Sequence, residues 1–159
     1  MLRVLLAVSL AVVIDQVAIV LTTVYLHRAL AHKAMTVSPR VAGVFRAVLW
    51  ITTGIRPRDW VAVHRKHHAF TDTPGDPHSP VVRGYARVQI GNVVMYRNAL
   101  RDPDLVDRFA KDMPPDGWDR ALFDHALLGL GLVIAALFLI LGPWLALLVA
   151  TIHTVAYLQ

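Results

Sequence analysis

Five of the eight histidines fall into two clusters, His27 and His32 in HRALAH and His64, His67 and His68 in HRKHH. Imidazole is a good ligand for iron, zinc, copper and nickel, so histidines gathered at helical spacing are candidate metal ligands. At about 100° per residue, His64 and His68 lie about 40° apart around a helix and His64 and His67 about 60° apart, so the three share a face. His67 and His68 diverge by about 100°, which suits two neighbouring ions better than one. His27 and His32 are about 140° apart on an ideal helix; either they address different ions or the helix ends between them. Arg28, Lys33, Arg65 and Lys66 flank these histidines, and such positive neighbours disfavour imidazolium and favour neutral, ligand-competent rings.

A run such as HRKHH also suits a basic membrane-surface patch. Two clusters, one of them where an apolar run meets polar sequence, are a more specific signal than either alone. Asp72 and Asp76 follow the second cluster and either accept hydrogen bonds from ligand rings or stabilise their own loop through Asx turns. His78 reads as a loop or substrate-contacting residue. Trp60 reads first as an interfacial anchor of its helix and second as a lining of an apolar substrate path. Asp15 lies inside an apolar run and needs a partner there; His153, in the last apolar segment, is a candidate to face it or to lie near the metal site.

The elements that must carry these residues are those of a membrane protein. Of 159 residues 56% are hydrophobic, the mean hydropathy is +0.52, and fifteen of the sixteen basic residues lie between positions 27 and 125. That distribution accounts for the +5 charge through the positive-inside bias, and no nucleic-acid motif accompanies it, so nucleic acid is excluded as a partner. Cysteine is absent, which rules out disulfides, thiolate sites and cysteine-held iron–sulfur clusters; any electrons come from an external donor. Glutamate is absent too, which rules out the Glu-x-x-His pattern of carboxylate-bridged helical bundles.

The expected fold is a single all-α domain with integral membrane helices and a helical region carrying the histidine clusters. Residues 4–26 form a transmembrane span, long enough for a hydrocarbon core of about 30 Å. Residues 27–125 form a cytoplasmic region. Within it Ser38 and Pro39 open an amphipathic helix over 39–54, expected to lie on the membrane surface. Residues 73–80 are a loop, and 97–119 a solvated connector with a short helix near Asp104 to Lys111. Residues 126–158 make an apolar helical hairpin broken at Gly142–Pro143.

The segment HRALAH, followed by WVAVHRKHHAFTDTPGDPHSP, resembles the first two histidine boxes of the membrane fatty acyl desaturases, especially the acyl-CoA type. The likeness is strong over residues 18–98 and weaker over the hairpin. It implies that His27, His32, His64, His67 and His68 are ligands of two iron ions on the cytoplasmic side of the membrane. It also implies O2 as co-substrate, a fatty acyl substrate (acyl-CoA in that type), and a ferredoxin or a b-type cytochrome with its reductase as electron donor. The implied reaction is formation of a cis double bond. The resemblance further calls for a third HxxHH box and an Asn and His pair that these residues do not contain. The chain is therefore expected to be cut at both ends and inactive by itself. The other readings are a fragment of a related lipid hydroxylase or ketolase, and a non-catalytic truncated membrane protein.

Overall fold

The computed structural model describes residues 1–158, and among them every regular element is helical, with no strand. The first helix, α1 (Leu2–Leu21), runs without a break into a π-wound segment, Thr22–Ala31. The expected span at 4–26 is thus longer at both ends, and His27 sits inside a continuous helix rather than just beyond one. Leu2–Ala31 is the one helix among the described residues that is long and apolar enough to cross a membrane.

Then follow α2 (Pro39–Thr52), α3 (Pro57–Ala69), α4 (Pro80–Arg83), α5 (Tyr85–Ala99), α6 (Leu105–Phe109), a π turn at Asp119–Phe123, α7 (Ala126–Leu141) and α8 (Pro143–Tyr157). Proline opens α2, α3, α4 and α8, where its fixed φ suits a helix and its missing N–H costs nothing. The expected loop at 73–80 and short helix near 104–111 are both present. The helix α5 was not foreseen, because its sequence alternates apolar and polar residues without a clear helical stripe.

The hairpin of α7 and α8 turns at Gly142, whose φ of 80° would strain any residue with a side chain. Its arms of 16 and 15 residues reach about 24 and 22 Å, less than a full bilayer core of about 30 Å. α8 packs on α1 because Ala7, Ala11 and Ala18 form a small-residue stripe: Ala7 and Ala11 meet Val149, with Ile14, Leu145 and Ile152 closing around them. The opposite side of α1, including Leu5, Leu6 and Val13, stays exposed, as a lipid-facing surface would.

Asp15 and His153 face each other across this packing at 3.6 Å, while His153 Nε2 donates to the Thr52 carbonyl at 2.8 Å. His153 is therefore engaged in the α1–α2–α8 junction and takes no part in the histidine groups.

α2 packs on the first helix and on α7. Leu49 joins Leu21, Tyr25 and Leu26 in a buried cluster. Trp50 lies flat against Gly129 of α7, and its Nε1 donates to the His125 carbonyl at 3.0 Å. Only the outer face, with Val41 and Val44, remains exposed. α3 buries Val61, Ala62 and Val63 against Ala31, Leu105 and Ala110, which turns its histidine face towards the end of the first helix.

Candidate metal centre

The π winding is what brings the first histidine pair together. In an α-helix residues five apart point in different directions, but i→i+5 hydrogen bonding places them one turn apart. The N–H of His32 donates to the carbonyl of His27 at 3.0 Å, and the two rings stand 4.5 Å apart. The helical segment ends at Ala31, directly before His32, and the two rings share one place rather than addressing different ones. The chain leaves the helix immediately after, with Lys33 in the left-handed region at φ 54°.

From α3, His64 and His68 meet this pair. The His27 and His64 rings are 4.8 Å apart, those of His32 and His68 4.7 Å, and the Nε2 atoms of His64 and His68 face each other at 3.1 Å. One ring nitrogen from each of His27, His32, His64 and His68 lies within 4.8 Å of the others. Nitrogens that face each other so closely cannot all carry hydrogens, so at least one of the His64 and His68 nitrogens presents a bare lone pair. Burial, followed by the neighbouring imidazoles, pushes His64 down to about 3, and the same causes lower His68. Their neutral form thus comes from burial and from each other. Of the flanking cations, Arg65 and Lys33 are both paired to Asp112. A set of neutral imidazoles with no thiolate among them fits iron, as it fits zinc, copper or nickel.

His67 does not join that group. It lies with Asp76 and His78, ligand atoms again within 4.8 Å of one another. The 100° divergence of His67 and His68 therefore appears as two adjacent groups, with the two rings 5.5 Å apart. Both carboxylate oxygens of Asp76 lie 2.9 Å from His67 Nδ1, so this nitrogen donates and, in the neutral ring, Nε2 carries the lone pair. Burial opposes ionisation of Asp76, but hydrogen bonds from His67 and from the N–H groups of His78 and Asp72 outweigh it and lower its pKa. Asp72 plays the other part: its carboxylate accepts from Ser79 Oγ at 2.7 Å and touches no histidine, so it stabilises the loop. His78 is stacked on His67 at 4.6 Å, closer to the candidate centre than its loop position suggested.

Trp60 stands beside the histidines. Its ring stacks on His64 at 4.6 Å, one turn away on α3, packs against two buried clusters, and lines a cavity of about 610 Å³ together with Val93, Tyr96, Leu100 and Tyr157.

Arg65 was read only as a positive neighbour. Its guanidinium donates to the carbonyls of Leu30 and Ala31 at 2.8 and 3.0 Å, to the Phe109 carbonyl at 2.9 Å, and to Asp112 at 2.6 Å. It thereby satisfies orphan carbonyls at the end of the first helix and ties that end to α3 and to the segment after α6. This clamp holds the two histidine pairs in register. Its only sequence signal is an arginine directly after the first histidine of HRKHH.

The fatty acid desaturase family model matches residues 2–159. A hex-5-enoyl-[acyl-carrier protein] acetylenase of Moorena producens is 48% identical over 59 residues, covering 36% of this chain and 18% of that protein. Delta-9 acyl-lipid desaturase 1 of Arabidopsis thaliana is 43% identical over 58 residues, 36% of this chain and 19% of that protein. The sn-1 stearoyl-lipid 9-desaturase of Synechocystis is 28% identical over 125 residues, 77% of this chain and 37% of that protein. The chain thus spans from 18% to 37% of the length of these curated relatives. No solved structure matches.

Proposed function

Because the chain belongs to the fatty acid desaturase family, we propose that it carries part of the iron-binding core of an oxygen-dependent fatty acyl desaturase that forms a cis double bond. The observation that carries this reading is the convergence of His27, His32, His64 and His68 from two helices that are distant in sequence. In this reading those four hold one iron, and His67, oriented by Asp76, offers Nε2 to a second. Iron held there would supply, with O2, the oxidising power that removal of hydrogen from an unactivated methylene needs and that no acid–base group has.

The chain's own residues do the rest. Burial keeps His64 and His68 in their neutral form, ready to coordinate. Arg65 maintains the spacing of the two pairs. The cavity beside Trp60 offers an acyl chain a largely apolar path that reaches the ring stacked on His64. The concentration of basic residues between positions 27 and 125 supports a reading in which the histidine groups face the cytoplasm and Leu2–Ala31 crosses the bilayer. This chain has no cysteine to hold an iron–sulfur cluster of its own, which fits an external electron donor such as a ferredoxin or a b-type cytochrome. The acyl carrier is open among coenzyme A, lipid and carrier protein, since relatives are named for two of these.

Two measurements test the proposal. Anaerobic titration of the purified chain with ferrous iron should show binding that is lost in His27→Ala and His64→Ala. Expression of the complete gene should raise monounsaturated acyl chains; a hydroxylated product without unsaturation would reject desaturation in favour of the hydroxylase reading.

A further inference from the structure

Thr22–Ala31 is π-wound over ten residues, although such winding occurs mostly as single turns. Nothing in the segment forbids an α-helix, since it holds no proline or glycine. Its end is wider still: the Ala34 N–H donates to the Arg28 carbonyl, six residues back, at 2.9 Å. That closure holds Lys33 in the left-handed region, φ 54°, a position that glycine usually fills. Rewound as an α-helix, the segment would set His27 and His32 about 140° apart, and the two could not both face His64 and His68. The winding is therefore imposed from outside the segment.

One carboxylate reaches both sides of that constraint. Asp112, which follows α6, places Oδ2 2.7 Å from Lys33 Nζ and accepts from Arg65 Nη1 through Oδ1 at 2.6 Å. Lys33 directly follows His32, and Arg65 directly follows His64. Asp112 thus ties the chain beside one histidine pair to the chain beside the other, while belonging to neither histidine group itself. Its place is set by α6, whose Leu105, with Ala110, is buried against Val61, Ala62 and Val63 of α3. The Lys33 side chain is 66% exposed, so its ion pair contributes little to global stability and its consequence is geometric.

We propose that Asp112 is a positioning residue for the four-histidine group: its charge holds Lys33 and Arg65 so that Thr22–Ala31 keeps the winding that sets His27 and His32 opposite His64 and His68. The inference rests on the reading of those histidines as metal ligands. A neutral amide of the same size cannot serve two cations at once, whereas glutamate keeps the charge on a longer stem. Lys33 gives the sharper contrast. Glycine there relieves the backbone and removes the ammonium together, so the fold is not weakened while the tie to Asp112 is lost.

Cobaltous ion titrated into the full chain in detergent micelles tests this, because its visible absorption bands report ligand set and geometry as well as affinity. The parent chain should develop imidazole–cobalt bands that His64→Ala removes. Asp112→Asn should shift those bands and weaken cobalt binding about tenfold or more, with Asp112→Glu restoring part of both. Lys33→Gly should melt no lower than the parent and still bind cobalt more weakly, which separates positioning from stability. Asp107→Asn, which breaks only the outer pair with Arg58, should keep the parent spectrum. The proposal is overturned if Asp112→Asn or Lys33→Gly keeps the parent's bands and affinity, or if Asp107→Asn loses them to the same extent as Asp112→Asn. Should Asp112→Asn fail to fold, Lys33→Gly decides alone. A parent chain without cobalt bands would reject the metal reading itself, and the proposal with it.

Discussion

Asp76 grips His67 with both carboxylate oxygens 2.9 Å from Nδ1, and the carboxylate is fully buried. That relationship holds the ring through Nδ1 and leaves Nε2 as the nitrogen available to a ligand. Replacing Asp76 with Asn keeps the size but removes the charge that orients the ring. Affinity for the ion at His67 should fall about 10- to 100-fold. Ferrous iron titration of Asp76→Asn should lose the weaker class of binding while the class held by the four-histidine group persists; equal loss of both would contradict the division into two groups.

Arg65 should tolerate no substitute, lysine included. Lysine retains the charge but cannot span the carbonyls of Leu30 and Ala31 and the Asp112 carboxylate at once. Arg65→Lys should cost roughly 1–3 kcal/mol through unsatisfied acceptors. Arg58→Lys, altering an ion pair with the largely exposed Asp107, should cost less than about 1 kcal/mol. Thermal melting of the two variants side by side makes the comparison.

Gly129 is the contact point between α2 and α7. A Cβ there would lie 2.6 Å from the Trp50 ring and 2.7 Å from its carbonyl, and the latter is backbone that cannot move aside. Gly129→Ala should destabilise the protein by about 1–3 kcal/mol, whereas Gly131→Ala, which meets nothing within 4 Å, should be neutral or slightly stabilising. Equal melting temperatures for the two would show that α2 is not seated on α7.

Histidines outside the two groups should be dispensable for metal. His153→Gln should retain iron binding while lowering the melting temperature, because its ring serves Thr52 and lies beside Asp15. His125, whose Nε2 reaches only the Arg120 carbonyl, should likewise be silent in iron titrations. Loss of iron in either variant would place the metal elsewhere.

Acid stability should depend on Asp116. Hydrogen bonds from Arg46 hold its carboxyl well below the usual carboxylate range. A carboxylate with a depressed folded pKa contributes its full stabilisation above the unfolded value near 4, and loses it as pH falls through the folded value. Its side chain is 49% exposed, so the contribution is small and salt-screened. Asp116→Asn should leave the pH dependence of melting unchanged from pH 5 to 8 and flatten it below about pH 4. A flattened slope near neutrality would implicate some other group.

Much of the molecule was legible before any coordinates. Composition alone pointed to membrane helices, Gly142–Pro143 marked the hairpin turn, and HRALAH with HRKHH marked the candidate metal ligands and the family. These are local signals: apolar length, backbone restriction at proline and glycine, and ligand types repeated at short spacing. Even the split of HRKHH into two directions followed from the 100° step of a helix.

Three things required the folded chain. The spacing of His27 and His32 was read against an ideal α-helix, yet π winding sets it, and that winding persists because Arg65 caps the helix end from 34 residues away. The roles of Asp72 and Asp76 were interchangeable in sequence; the turn of the loop gave His67 to one and Ser79 to the other. Trp60 read as an interfacial anchor or a lining of the substrate path, and His153 as facing Asp15 or lying near the metal site; packing put Trp60 against His64 and chose Asp15 for His153. Spacing along a chain constrains the directions available within one helix. Which helix stands opposite, and which partner completes a contact, depends on long-range packing, and local sequence carries no record of it.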